Sequence, residues 1–152
     1  MADATAGLSF ESVCRDGVEV RLARFYTPAD GRHVPYYHFQ ILQYGREAGR
    51  VNFRPASTPS VLEYDGHIGY EIFPRYRGQR LSQQAVSLLL PFIARHGFDS
   101  VVLTCHPANR ASARIIEALG GIYRETRAFP HMRSFWGRQR SIYHLTVPHG
   151  CD

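Results

Sequence analysis

The run Gly69-Tyr-Glu-Ile-Phe-Pro-Arg-Tyr-Arg-Gly-Gln-Arg-Leu-Ser82 decides how this chain is read. Ile68 to Phe73 has the branched and aromatic side chains of a strand, and Pro74 stops it. From Leu81 onward, Leu81, Ala85, Leu88, Leu89, Phe92 and Ile93 recur every three or four residues, the spacing of an amphipathic helix. A strand therefore runs through a basic turn directly into a helix. The first N–H groups of a helix lack intrahelical partners and sit at the positive end of its dipole, which together make an anion site. Arg75, Arg77 and Arg80 crowd that end, where positive charge is locally unfavourable unless an anion lies among them. The turn is read as a phosphate-binding element, with exposed arginines on an ordinary loop as the competing reading.

Working outward, Gly97 ends the helix, and Pro91 inside it should kink its last turns. Phe98 to Cys105 is a near-continuous apolar run suited to a strand covered on both faces, so the segment forms a strand, helix, strand unit. A second helix is expected from Asn109 to Leu119, with Ala111, Ile115, Ala118 and Leu119 on one face and Gly120-Gly121 as its stop. Strands at Ile122 to Thr126 and Ser141 to Val147 follow. Upstream, Gly17 to Phe25 alternates apolar and polar residues, while Tyr36 to Gln43 and Ala48 to Arg54 flank a turn at Tyr44-Gly45-Arg46-Glu47 and should form a hairpin. Pro55 to Pro59 is a loop, and no long helical pattern precedes Tyr36. The expected fold is α/β in the broad sense (α+β). It has a mixed, mostly antiparallel sheet, one parallel strand pair in the middle, helices on both faces, and a single domain over residues 1–152.

The 152 residues suffice for one core without disulfides or a structural metal. With 44% hydrophobic and 20% charged residues, the composition excludes disordered and fibrous classes. No apolar stretch reaches the roughly 20 residues of a membrane span. Met1 to Thr5 lack the basic and apolar regions of a signal peptide, so a cytoplasmic location is expected. Cys14, Cys105 and Cys151 are odd in number and outside any CxxC, which reads as reduced thiols. The eight histidines show no HxxxH spacing, and no bound metal is expected. A net charge of +5, with all 18 of the Lys and Arg residues being arginine, favours an anionic, phosphate-bearing partner. Nucleic acid is the weaker choice, because the chain lacks a series of aromatic stacking platforms.

The segments Gly66-His-Ile-Gly-Tyr-Glu-Ile72, Arg77-Gly-Gln-Arg-Leu-Ser82, Leu103-Thr-Cys105, Asn109-Arg-Ala-Ser112 and Ile116-Glu-Ala-Leu-Gly-Gly121 occur in that order. Through them the chain resembles the GNAT superfamily of acyl-CoA-dependent N-acetyltransferases over Tyr36 to Leu145. The resemblance implies that the strands ending at Phe73 and Cys105 diverge and that acetyl-CoA, as co-substrate, enters between them. The pantetheine arm would lie along Ile72 and Phe73 like an added strand. The pyrophosphate would rest on the N–H groups of Arg77, Gly78, Gln79, Arg80, Leu81 and Ser82, with Asn109 and Ser112 near the arm. Asn109 can also serve as a helix N-cap. The Phe73 N–H would polarise the thioester carbonyl. Two departures stand out: aligned from Arg77, the family's turn has Arg80 and Ser82 at its small-residue positions, while alignment from Arg75 recovers Gly78 but leaves Arg80 at the last of them; and Ile116 replaces a tyrosine that protonates the departing thiolate in many relatives. Tyr123, Ser112 or His106 are the substitute proton sources.

Direct transfer needs an uncharged amine, whereas an alkyl ammonium has a pKa of about 10.4, so a base or water chain must take a proton. Strand alternation puts His67, Gly69, Glu71 and Phe73 on one face, making Glu71 and His67 the paired candidates for base or relay. Glu71 has a competing role as an ion-pair partner of Arg75 or Arg77, and His67 as a structural histidine. Tyr36, His38, Arg54 and Tyr64 are expected on one side of the acceptor site, with His131 and Trp136 on the other. The expected function is acetyl-CoA-dependent N-acetylation of a primary amine on a small molecule or protein. The alternative is a noncatalytic acyl-CoA-binding or regulatory module. With no N-terminal helical cover, the site is open or completed by a second subunit of a homodimer.

Overall fold

The computed structural model describes residues 8–30, 33–130 and 139–150. Two tight turns set the register of its first half. Asp16 (φ 53°) and Gly17 (φ 79°) join β1 (Val13–Arg15) to β2 (Val18–Tyr26). Tyr44 (φ 47°) and Gly45 (φ 79°) join β3 (Tyr36–Gln43) to β4 (Arg46–Phe53). Positive φ at both central residues gives the type I′ turn, whose twist matches that of the strands it joins. The hairpin expected at Tyr44 is therefore present with a shorter loop. The strand before Asp16 was not foreseen, although Asp-Gly is the residue pair that such a turn favours.

β5 (Ile68–Ile72) completes a sheet of order β1-β2-β3-β4-β5, antiparallel throughout. Gly49 faces Ile41 and Glu47 faces Leu42, leaving Ala48 as a bulged residue. α1 (Leu81–Arg95) runs unbroken past Pro91, whose ring lies on the exposed side. Its buried stripe, including Ala85, Leu89, Phe92 and Ile93, joins Val20, Phe39, Val51 and Phe53 of the sheet in one core. Gly97 ends it at φ 85°. β6 (Ser100–Cys105), β7 (Ile122–Ala128) and β8 (Gln139–Thr146) form a second antiparallel sheet of order β6-β8-β7, and α2 (Arg110–Ala118) packs on β6 and α1.

The expected parallel pair does not form a ladder among the described residues: β5 and β6 belong to different sheets. They touch at their roots, where His67 N–H donates to Val102 O (2.7 Å) and Val102 N–H donates to His67 Nδ1 (2.8 Å). The imidazole takes the place of the next rung, and beyond it the strands part. Both α-helices share the apolar face. The opposite face carries a single helical turn, Val61–Asp65, fastened to β6 by Thr104 Oγ1–H donating to Tyr64 O (2.7 Å). No helix among the described residues is long and apolar enough to cross a membrane.

Candidate active site

The backbone of β5 defines the site. Arg54 N–H donates to His67 O (2.7 Å) and Phe73 N–H to Ala48 O (2.8 Å), so the odd-numbered residues between them turn their backbone groups toward β4. By ladder alternation, Ile68, Tyr70 and Ile72 turn theirs toward the gap before β6. This corrects the expectation for Phe73, whose amide is occupied by Ala48. The donor that faces the gap is the Ile72 N–H. The gap is a cavity of about 370 Å³, with Ile68, Gly69, Tyr70 and Glu71 on one wall and Leu103, Thr104, Cys105, Asn109 and Ser112 on the other.

At the open end, Pro74–Tyr76 forms one 3₁₀ turn and Gly78 has φ 84°. Arg80, at φ 58°, is the N-cap of α1 and supplies no side-chain cap. It thus adopts the left-handed backbone that suits glycine while keeping an exposed side chain. The first intrahelical bond runs from Gln84 N–H to Arg80 O (3.1 Å), leaving the N–H groups of Leu81, Ser82 and Gln83 ahead of it. Leu81 and Ser82 are buried, so their contribution to the turn is backbone, whereas Arg75, Arg77, Gly78 and Gln79 are exposed. Arg77 Nε–H donates to Ile72 O (2.9 Å), and Gln43 Nε2–H to Gln79 Oε1 (2.6 Å), tying the turn to the sheet. The chemistry of these donors fits a diphosphate.

On the far wall, Asn109 Oδ1 accepts from Ser112 N–H (3.1 Å), which fills the N-cap role. Ser112 Oγ lies 2.8 Å from Tyr70 OH. Burial pushes the Tyr70 phenol up to about 12, opposed by its bond to Ser112. Burial also raises the Cys105 thiol. Among the proposed proton sources, Ser112 lines the cavity. Tyr123 instead bonds Thr126 Oγ1 (2.8 Å) on the outside, and His106 Nδ1 accepts from Ala108 N–H (3.0 Å). Ile116 is core. Tyr70, Cys105 and Arg140 also line the cavity and were missed from sequence; for Tyr70, alternation put it on the face opposite Glu71, and the structure makes that the side of α2, where it meets Ser112.

The other face carries the residues expected on one side of an acceptor site. Glu71 accepts from Arg50 Nη2 (2.7 Å) and Nε (3.2 Å), its cross-strand neighbour, in place of the expected Arg75 or Arg77. Arg54 Nη1–H donates to Gly66 O (3.2 Å). Arg54 and Tyr64 line the cavity. Tyr36 lines an adjoining one of about 390 Å³ that shares Asn52, Arg54 and Asp65. His38 holds Asn52 in place through Nδ1 and Oδ1 (2.7 Å) without lining either. His131 and Trp136 lie outside the described residues.

His67 departs from its expected partnership with Glu71. It is 1% exposed and does not line the cavity. Nδ1 accepts from Val102 and Nε2 lies 3.1 Å from Ser57 Oγ. Burial, then the charges of Arg54 and His144, lower its pKa to about 4, so the ring is neutral at ordinary pH. The strand starts only at Ile68, after Gly66 at φ 74°, and although His67 O still accepts from Arg54, the His67 N–H has already left the β4 ladder for Val102.

Among the described residues no three His, Cys, Asp or Glu side chains converge on a metal position. Residues 11–122 match the family model for the acetyltransferase (GNAT) domain. No curated protein matches the sequence. Among solved structures, the chain is similar to RimL, the ribosomal L7/L12 alpha-N-protein acetyltransferase in complex with coenzyme A. That likeness has TM-score 0.68 and 15% identity, covering 90% of this chain and 98% of RimL. It is also similar to the ribosomal-protein-S5-alanine acetyltransferase of Vibrio fischeri, with TM-score 0.68 and 13% identity, covering 91% and 97%. A third is yncA of Salmonella typhimurium with acetyl-CoA, at TM-score 0.59 and 16% identity, covering 77% and 68%. At these identities the likeness is one of fold. The family match runs through the hairpin, the basic turn and both helices, and by it this chain belongs to the GNAT acetyltransferases.

Proposed function

We propose that the protein is an acetyl-CoA-dependent N-acetyltransferase that passes the acetyl group directly to a primary amine of a small molecule or protein. The observation that carries this is the open edge of β5: its gap-facing backbone groups at Tyr70 and Ile72 lie directly upstream of the N–H-lined turn at α1. An extended pantetheine arm can pair with that edge as an extra strand would. Its diphosphate then rests on the turn and its thioester on the Ile72 N–H. A donor aimed at the carbonyl oxygen, where charge develops, contributes about 3 kcal/mol.

Glu71, held by Arg50 on the acceptor face, takes the amine proton. The leaving sulfur is met by Ser112, with Tyr70 behind it. With its phenol near 12, Tyr70 would protonate a thiolate of ordinary pKa (about 8.5) uphill by about 5 kcal/mol, so it serves as a fixed hydrogen-bond donor and not as the acid. The two ribosomal-protein acetyltransferases it resembles favour including protein N-terminal amines among the acceptors. In this reading one domain carries the whole site, the enzyme works in the cytoplasm, and a homodimer covers the acceptor face.

Native mass spectrometry of freshly purified protein should show retained CoA or acetyl-CoA and the subunit count. Release of CoA thiol should accompany incubation with a panel of amines. Absence of both CoA binding and thiol release overturns the proposal; tight CoA binding without release marks a noncatalytic binding module.

A further inference from the structure

Arg140 begins the buried part of β8 and lines the cavity between β5 and β6. It is 7% exposed, and its Nε is fully buried with no hydrogen-bond partner among the described residues. Leaving a donor of a charged group unpaired at that depth costs more than the 1–3 kcal/mol, roughly, of a neutral one. The guanidinium is held over the Tyr64 ring, 5.0 Å from its centroid. Register places it: Ile142 pairs with Thr104, so Arg140, two residues earlier, shares the face from which Thr104 bonds Tyr64 O. That is the acceptor side, away from Ser112.

The other charges there already have partners. Arg50 is paired with Glu71, Arg54 donates to the Gly66 carbonyl, and Asp65 Oδ2 accepts from Ser60 Oγ–H (2.8 Å). We propose that Arg140 receives a carboxylate of the acceptor, so that the preferred acceptor is an amine bearing a carboxylate a few bonds from its nitrogen. Glu71 and Asp65 attract the amine end, Arg140 the acid end. A singly charged carboxylate balances a lining of three arginines, Arg50, Arg54 and Arg140, against Asp65 and Glu71, whereas a doubly charged phosphate would overshoot it. This inference rests on the N-acetyltransferase reading.

The test uses acceptor pairs differing only in the acid: serine against serinamide, and the dipeptide Ser-Asp-amide against Ser-Asn-amide. The two arms separate a free amino acid from a peptide whose second residue is acidic. Acetyl transfer gives KM and kcat, and calorimetry with CoA present gives binding without turnover. The wild type should favour the acid member of at least one pair by about tenfold or more in KM and in Kd, the scale of a charge-assisted hydrogen bond. Arg140→Gln should erase that preference, Arg140→Lys should keep part of it, and CoA affinity should not change. Equal handling of acid and amide by the wild type, absence of binding by every acid member, or equal losses on both members in Arg140→Gln overturns the inference while leaving the transferase reading intact. Arginine-dependent carboxylate binding with no transfer to any amine sustains it and overturns the transferase reading.

Discussion

Glu71 illustrates what a single residue owes to its neighbours. Its type and strand position mark a candidate base, but its partner is Arg50, one strand away, and not the arginines that follow it in sequence. A pair half open to solvent contributes little to stability, about 0–1 kcal/mol, so Glu71→Gln should fold normally. Acetyl transfer should fall by about a hundredfold, the lower range for loss of a general base, and most strongly below the pH optimum. At higher pH free amine forms without help and the deficit should shrink. Rates across a pH series check this, and an unchanged profile removes Glu71 from the role. His67 is the converse case: its residue type suggested proton transfer, whereas its burial and two occupied nitrogens make it a fastener.

At the scale of elements, the β4 to β5 contact fixes where the Ile72 N–H lies. An added Cβ at Gly49 would sit 2.3 Å from Glu71 O and 3.0 Å from Ile72 Cα, both backbone atoms with no rotamer to turn aside. Gly49→Ala should therefore push β5 away beside the Ala48 bulge, lowering stability by about 1–3 kcal/mol, as overpacking does. The same shift would misplace the Ile72 N–H. Urea unfolding should show the earlier midpoint, and transfer rates a loss in kcat beyond any change in acceptor KM. An unaltered midpoint would mean that the bulge yields freely. Helix α1 and the β3–β4 hairpin were readable from periodicity and turn residues because both are local patterns. The bulge was not, since it depends on how two strands distant in sequence fit together.

At the scale of the whole molecule, two sheets meet at the His67 fastening, and their divergence creates the cavity. Folding keeps this imidazole neutral, with a pKa of about 4 against about 6.5 in the unfolded chain. Its stabilising share is complete above pH 6.5. As pH falls from there toward 4 the unfolded chain binds the proton first, so about 3 kcal/mol is lost across that window. His96, lowered by burial against Phe92 and Tyr37, acts in the same direction. Urea midpoints measured from pH 7.5 to 4 should decline accordingly. His67→Gln should be less stable at neutral pH and decline less on acidification; a decline equal to that of the wild type would assign the effect elsewhere. By itself the sequence determined the strand, basic turn and helix, the N-cap at Asn109 and the resemblance that names the family, because each depends on residues close together along the chain. Only the tertiary structure decided that the His67 imidazole marks where the strand pair splits, that Ile72 and not Phe73 faces the gap, and that Arg140 is buried beside Tyr64. Those outcomes follow from ladder parity and from which distant side chains lose their water together.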